Sequence, residues 1–443
     1  MIVPVAPGRR ILLGHTPSLL RQRVGFTSSL RAHGDIVRVF LGPLEAYFLT
    51  SPELVNHVLV TEGTSFSKGI IFDRFRPFMG NGLVMSEGAF HLRQRRLVQP
   101  AFHGARLAAY ADTMVRVTAE LAGGWRAGEV RRLDADMQWL AITVVGETLF
   151  ATELGRRAVA EARRSIPVVL KAGMVRALSP RFLEHVPVIP ANRRFDRAVE
   201  RLRRIVHEVI AGWRATGEDH GDLLSMLMLA RDPGTGEGMT DHQVYDEVIT
   251  LLTAGSETSA VALTWLFHEL ARHPEVERRV RAEVDEVLAG RAATFADVAK
   301  LGYLRRVVSE VLRMYPIWIL MRRALRDVEL GGVRLPAGAE VMFSPFALHF
   351  DPRFHEDPER FDPDRWLPQR AARVPRGAYV PFGAGGRQCV GQAFAQTEIV
   401  LVAATVLAGW ELLPVPGVPV RLTVTSAAYP DRMPMTVVPR RAR

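Results

Sequence analysis

One cysteine stands among 443 residues, in the run Phe382-Gly383-Ala384-Gly385-Gly386-Arg387-Gln388-Cys389-Val390-Gly391. Three glycines before the thiol and one after it let the backbone turn tightly and approach a flat partner closely. The following stretch, Gln392 to Gly409, is rich in alanine, leucine and valine and reads as a buried helix. Its N-terminus lies just behind the sulfur, where unpaired N–H groups and the helix dipole favour a thiolate. Arg387 adds a cation suited to a carboxylate or phosphate. The spacing therefore predicts an anionic sulfur, able to ligate a metal, beside a large planar group. A buried structural cysteine after a glycine turn is the plainer alternative.

A second cluster lies in a helix predicted from Thr240-Asp241 to about His273, before Pro274. Ala254-Gly255-Ser256-Glu257-Thr258-Ser259 interrupts a segment that is otherwise apolar nearly all round. Gly255 weakens the helix locally and Thr258 can divert a backbone bond, leaving room for a small ligand or water. His91 and Arg95, four apart on one helical face, can clamp one anionic group, while Arg93 and Arg96 point elsewhere and suit partner docking. Glu310 and Arg313 sit at i and i+3 on a helix that looks buried, and Arg360 of Pro358-Glu359-Arg360-Phe361 is the expected third member.

These motifs resemble one known family. Phe-x-x-Gly-x-Arg-x-Cys-x-Gly is the haem-binding signature of cytochromes P450, filled here by Phe382, Gly385, Arg387, Cys389 and Gly391, with Gly383 inside the same loop. Ala254 to Ser259 is similar to that family's oxygen-activation sequence, and Glu310-x-x-Arg313 to its structural triad. The resemblance covers almost the entire chain. It implies a mainly α fold with small β-sheets, haem b (iron protoporphyrin IX) lying between a long distal helix and a proximal cysteine loop and helix, and one P450 domain over residues 1–443. The β-rich lobe would take in roughly 30–65 and 317–350.

It also implies roles. Cys389 would ligate the iron; Thr258 and Glu257 would manage protons during O2 cleavage; His91, Arg95 and Arg322, with Arg323 second to it, would face haem propionates. Ala254 and Gly255 would lie along the cofactor. Ile70, Phe72, Phe75, Phe78, Ile317, Ile319 and Ala428 would line a substrate pocket without a charged anchor, which favours a hydrophobic compound. Residues 166–190, with Ile166, Val168, Val169, Leu170 and Met174, would cover it. The stretch from His91 to His103 is similar to bacterial P450s that oxidise cyclic sesquiterpenes such as pentalenene, so a terpenoid is the expected substrate ahead of fatty acids, macrolides or steroids.

The elements that must position these residues are partly legible. Val37 to Thr50 reads as a hairpin turning near Gly42-Pro43, and Ser51-Pro52-Glu53 as the start of a short helix. Residues 64–90 have no sustained period and read as a long loop. Residues 108–230 read as helices broken near Gly123-Gly124, Ser179-Pro180 and Pro187 to Pro190.

Composition narrows the function. With 48% apolar and 23% charged residues the chain is globular and can bury a cofactor. The formal charge of +10 comes from arginines spread along the chain without interleaved aromatics, which argues against nucleic acid and reads first as a composition bias toward arginine, second as a basic face for an acidic protein partner. Pro4, Pro7, Arg9 and Arg10 break any early apolar span, so no membrane anchor and a cytoplasmic location are expected. Electrons would come from NAD(P)H through a separate ferredoxin reductase and ferredoxin, to a monomer. A peroxygenase is disfavoured by Glu257-Thr258; a non-catalytic haem sensor is the alternative of a different class.

Overall fold

The computed structural model describes residues 3–178, 190–424 and 427–440. It separates into two compact units, one of residues 1–73, 306–389 and 422–429, the other of 74–305, 390–421 and 430–443.

The first unit is built on a five-stranded sheet ordered Ile36–Leu41, Leu44–Leu49, Glu340–Phe343, Leu320–Ala324, Phe66–Ser67. The first two strands form the expected hairpin, in register from Ile36 opposite Leu49 to Leu41 opposite Leu44. Alternation decides the faces. Ile36, Leu49, Val341 and Phe343 enter one apolar cluster, while Val37, Val39, Ala46, Phe48, Met321 and Met342 enter another. The sheet is thus buried on both sides. The fourth of these strands begins at Leu320, and Ile317 ahead of it makes a single bridge to Ala427.

The second unit is mainly helical, with one small sheet ordered Val130–Arg132, Pro434–Pro439, Trp410–Pro414. Asp241–Arg272 opens with a capping box in which Gln243 N–H donates to Thr240 Oγ1 and Thr240 N–H donates to Gln243 Oε1. Gln392–Gly409 carries β-branched Ile399, Val400, Val402 and Val406, residues of modest helix propensity. All four are buried, and burying each such side chain contributes about 1.5–3 kcal/mol, so packing holds this helix. It is long and apolar enough to cross a membrane, but 61% of it is buried in the core.

Other boundaries differ from expectation. The 64–90 stretch contains a helix, Ile70–Met79, with Pro77 inside it. A helix does end at Gly123, and Pro190 opens another, Pro190–Thr216, whose buried Phe195, Leu202, Ile205, Val206, Val209 and Trp213 follow helical spacing. The breaks at Ser179-Pro180 and 187–189 lie outside the described residues. Ile166 and Val169 are buried in helix packing, while the Met174 side chain lies outside the description.

Candidate active site

The thiol loop is a braced piece of backbone. Gly385–Arg387 form one tight turn closed by Gln388 N–H donating to Gly385 O at 3.0 Å, and Cys389 N–H donates to Phe382 O at 3.0 Å. Gly385 has φ +68°, and a Cβ there would lie 2.1 Å from Leu59 O. Only glycine fits. Beside it space is open: a Cβ at Gly383 or Gly386 would meet nothing within 4 Å, and the Cys389 side chain is exposed. An exposed thiol on a fixed loop with clear ground around it is the donor set a flat thiolate-ligated group requires, so haem fits these residues.

What braces the loop starts at Glu310. This fully buried carboxylate accepts from Arg313 Nε and Nη2, both at 2.9 Å, from Arg365 Nε at 3.3 Å, from Trp366 Nε1 at 3.0 Å and from Asp362 N–H at 3.0 Å. Five donors make a buried ion tolerable. Arg313 also donates to His349 O, His349 Nδ1 meets Arg313 O at 3.0 Å, and His349 Nε2 accepts from Val380 N–H at 3.0 Å. That acceptor role fixes a neutral ring with the proton on Nδ1. Burial holds His349 well below its ordinary pKa, and Val380 leads into Phe382. The arginine on Glu310 is therefore Arg365, not the expected Arg360, whose side chain is exposed and whose carbonyl alone accepts from Arg313 at 3.4 Å. The Pro363–Trp366 turn, capped by Asp362, swings the later arginine inward.

In the long helix, Ala254 and Thr258 are exposed, one turn apart, amid buried Leu252, Thr253, Ser256, Ser259 and Ala260. Thr258 Oγ1 donates to Ala254 O at 2.9 Å, the diversion that its residue type allows. The helix nevertheless runs unbroken, and Gly255 serves packing: a Cβ there would sit 2.8 Å from Val145 Cγ2. Glu257 is half-buried on the same helix.

His91 is buried in the Gly88–Val98 helix, with Nδ1 3.2 Å from Leu83 O and 3.3 Å from Ser86 Oγ. Leu83 is itself held, its N–H donating to Glu247 Oε2 at 2.9 Å, while Gln94 Nε2 donates to Glu247 Oε1 at 2.9 Å. Asn81 N–H donates to Asp246 Oδ2 at 2.9 Å. Gly82 permits this approach, since a Cβ would lie 2.3 Å from Thr250 Oγ1. Desolvation pushes the Glu247 carboxyl up to about 7 and neighbouring Asp246 adds to the rise, against the bonds from Leu83 and Gln94. Nothing in the local pattern around Glu247 distinguishes it from an exposed helical acid, and sequence reasoning missed it. Arg95 is half-buried on the His91 helix. Arg93 and Arg96 also bond within the fold: Arg93 Nη2 donates to Gly238 O at 2.7 Å and Arg96 pairs with Asp232 at 2.8 Å.

Arg322 is buried, with Nη1 donating to Met321 O at 2.7 Å. Arg323 is committed to Glu340 at 2.6 Å and Asp73 at 2.8 Å. Arg387 is half-buried in the thiol loop. Cys389, Phe382, Gly383, Arg387, Arg322, Ile70, Phe72, Ile317 and Ile319 belong to the sheet unit; Gly391, Thr258, Glu257, Ala254, Gly255, His91, Arg95, Phe75 and Phe78 belong to the helical one. Ile70 and Ile319 pack against the Met321 and Met342 cluster. Lys68 Nζ lies 4.8 Å from the centre of the Phe72 ring. Phe78 packs at a tilt against Phe75, ring centres 5.2 Å apart, and edge-on to Phe195 at 5.1 Å. Ala428 is corrected: it is fully buried against Trp318, Phe346 and Val424 and presents no surface to a ligand.

Glu398, in the core helix, is another residue the sequence did not single out. It is fully buried, and among the described residues neither carboxyl oxygen has a hydrogen-bond partner. The Ser259 hydroxyl is close enough to favour the ionised form without reaching bonding geometry, and desolvation dominates, pushing the group up to about 8.

Comparison with known proteins bears on all of this. Residues 4–430 match the family model described as Cytochrome P450. The chain is 46% identical to cyclooctat-9-en-7-ol 5-monooxygenase of Streptomyces melanosporofaciens, over 98% of this chain and 95% of the relative. It is 44% identical to cyclooctatin synthase of the same organism, over 94% and 91%. Pentalenene oxygenase of Streptomyces avermitilis is 37% identical over 97% and 96%. With the exposed thiol of Cys389 on its braced glycine loop and a match that spans nearly every residue, the chain belongs to the cytochrome P450 family and is a haem-b monooxygenase that uses O2 and electrons derived from NAD(P)H.

Proposed function

We propose that this monooxygenase hydroxylates a cyclic terpenoid, with substrates of the cyclooctatin type ahead of pentalenene. The observation that carries this is the near-full-length similarity to two cyclooctatin enzymes, closer than that to the pentalenene relative. The reaction consumes R–H, O2, two electrons and two protons and yields R–OH and water. The electrons come from a ferredoxin and its reductase, and the protein works as a cytoplasmic monomer of one P450 domain.

Cys389 holds the haem, which supplies oxygen-activating chemistry that a thiolate ligand favours. The remaining work falls to this chain's side chains. Gly383, Gly385 and Gly391 keep the loop backbone close and turned, and Phe382 closes it. Arg387, Arg322, Arg95 and His91 through Nε2 bind carboxylates at the cofactor's edge; Leu83 O and Ser86 Oγ orient the His91 ring from the Nδ1 side. The Thr258 hydroxyl, which donates a hydrogen bond to Ala254 O, would turn about χ1 to offer its proton within the site. Glu257 replaces it from solvent. Exposed Ala254 leaves clear ground along the helix, while Gly255 lets the helix pack closely on Val145. Ile70, Phe72, Phe75, Phe78, Ile317 and Ile319 exclude water and orient the substrate through shape.

The test is turnover with a purified ferredoxin and reductase, NADPH and a panel containing cyclooctat-9-en-7-ol, pentalenene, a fatty acid and a steroid. Oxidised terpenoid is the expected product. NADPH-dependent oxidation confined to the fatty acid or steroid overturns the substrate class, and no product from any compound favours the sensor alternative.

A further inference from the structure

The first 34 residues hold five arginines and no aspartate or glutamate. Within them, Ile11, Leu12 and Leu13 stand in a row at 94%, 87% and 54% exposure, with Leu20 close behind in sequence at 52%. Single exposed apolar residues are ordinary, but adjacent ones at such exposure form a patch that water disfavours. The patch is not a loose end. Arg10 and Gly14 exchange two backbone hydrogen bonds of 2.9 Å, so the three apolar residues cap a closed turn.

That turn is bolted to the sheet. His15 is fully buried; its N–H donates to Phe40 O at 2.6 Å, its Nδ1 accepts from Phe40 N–H at 2.9 Å, and its Nε2 donates to Ala6 O at 2.8 Å. Gly42 N–H donates to Leu13 O at 3.2 Å. The tip also carries strain. Leu12 has φ +67°, a left-handed conformation that a leucine adopts only under constraint. A fold that needed only a turn here would be served by glycine or asparagine. A strained and almost fully exposed leucine on a rigid support is the kind of outlier from which function is inferred.

The sequence on both sides of the patch is cationic. Arg9, Arg10, Arg21 and Arg23 flank the patch in sequence, and none has a carboxylate partner among the described residues. Arg9 stacks on Phe40, its Cζ 3.7 Å from the ring centre. Glu45, which pairs with Phe40 in the hairpin, is engaged by Arg38 at 3.2 Å. The result is an exposed apolar tip with arginines before and after it in sequence. It matches a surface that is anionic at its face and apolar beneath.

We propose that the 7–23 region is a peripheral membrane-binding tip, in which Ile11, Leu12 and Leu13 insert below the headgroups of an anionic lipid bilayer while Arg9, Arg10, Arg21 and Arg23 lie on its phosphates. Insertion by a few apolar residues plus cations gives reversible attachment. It does not require a spanning helix.

The test is sedimentation of the full-length, haem-loaded protein with phosphatidylcholine vesicles, with and without about 30% phosphatidylglycerol. The protein should pellet with the anionic vesicles and stay in solution with the neutral ones. Ile11→Ser/Leu13→Ser and, separately, Leu12→Gly should each weaken binding, the double variant by about tenfold or more. Leu12→Gly also relieves the strained φ, so its melting temperature should hold or rise while binding falls, separating the effect from unfolding. Arg9→Gln/Arg10→Gln should weaken binding most at low salt. Absence of co-sedimentation with anionic vesicles overturns the proposal, as does binding that the apolar substitutions leave unchanged. A complex with a soluble acidic protein that competes with no lipid assigns the patch to a protein instead.

Discussion

Gln94 and Glu247 are joined by a 2.9 Å hydrogen bond from an amide to a buried carboxyl whose other oxygen takes the Leu83 N–H. Leu83 in turn presents its carbonyl to His91. One acid therefore fixes both the helix that carries His91 and the backbone that orients its ring. Glu247→Ala leaves two buried donors without an acceptor, a loss of about 1–3 kcal/mol for each. Denaturant unfolding of the haem-loaded protein should show that loss, with faster haem release to apomyoglobin; unchanged stability and release would remove Glu247 from the support of His91.

The same carboxyl makes stability pH-dependent. Its folded value of about 7 lies above the ordinary 4.5, so between these two the folded state binds more protons than the unfolded chain. Stability contributed here is present below 4.5 and is lost as pH rises toward 7, with a slope approaching about 1.4 kcal/mol per pH unit. Glu247→Gln should flatten the fall of melting temperature across that window. A slope identical in the variant and the parent would contradict the assignment.

Glu398 behaves likewise over a wider window, from 4.5 to about 8, but among the described residues its carboxyl has no hydrogen-bond partner, the Ser259 hydroxyl lying outside bonding geometry. Replacing a buried group that lacks partners by an apolar one of similar size removes a desolvation cost. Glu398→Met should therefore stabilise the protein by about 1–3 kcal/mol at pH 8 and by less at pH 5. Destabilisation of equal size at both values would show that the carboxyl is partnered in solution.

Arg360 and Arg365 differ by five positions and by their burial. Arg365→Ala withdraws a buried guanidinium from Glu310 and should cost about 3–5 kcal/mol, with loss of haem during purification. Arg360→Ala should stay within about 0.5 kcal/mol of the parent. The reverse order in a denaturant titration would restore Arg360 to the ion-pair cluster.

Much of this was legible in the residues themselves. The Gln392–Gly409 helix and the helix start at Thr240-Asp241 follow from local patterns strong enough to set their own boundaries, and the glycine loop marks the thiol. What escaped depends on tertiary context. Pro358-Glu359-Arg360-Phe361 and Pro363-Asp364-Arg365-Trp366 look alike as strings, and only the Asp362 cap decides which arginine turns inward. Glu247 and Glu398 read as ordinary helical acids because burial by neighbouring helices leaves no mark on their own segments. The Ile70–Met79 helix was hidden by Pro77 and the glycines around it, and Arg93 and Arg96 found partners in a turn some 140 residues away.

The central claim rests on Cys389. Its most direct test is the absorbance of the dithionite-reduced protein under carbon monoxide, beside a Cys389→His variant and a Gly385→Ala variant whose Cβ would meet Leu59 O. The parent should show the long-wavelength Soret band from which the family takes its name; Cys389→His should lose it, and Gly385→Ala should bind less haem with part of the band shifted to shorter wavelength. A parent protein that binds haem but shows only the shorter-wavelength band, or a Cys389→His variant that keeps the long one, would contradict thiolate ligation by this residue.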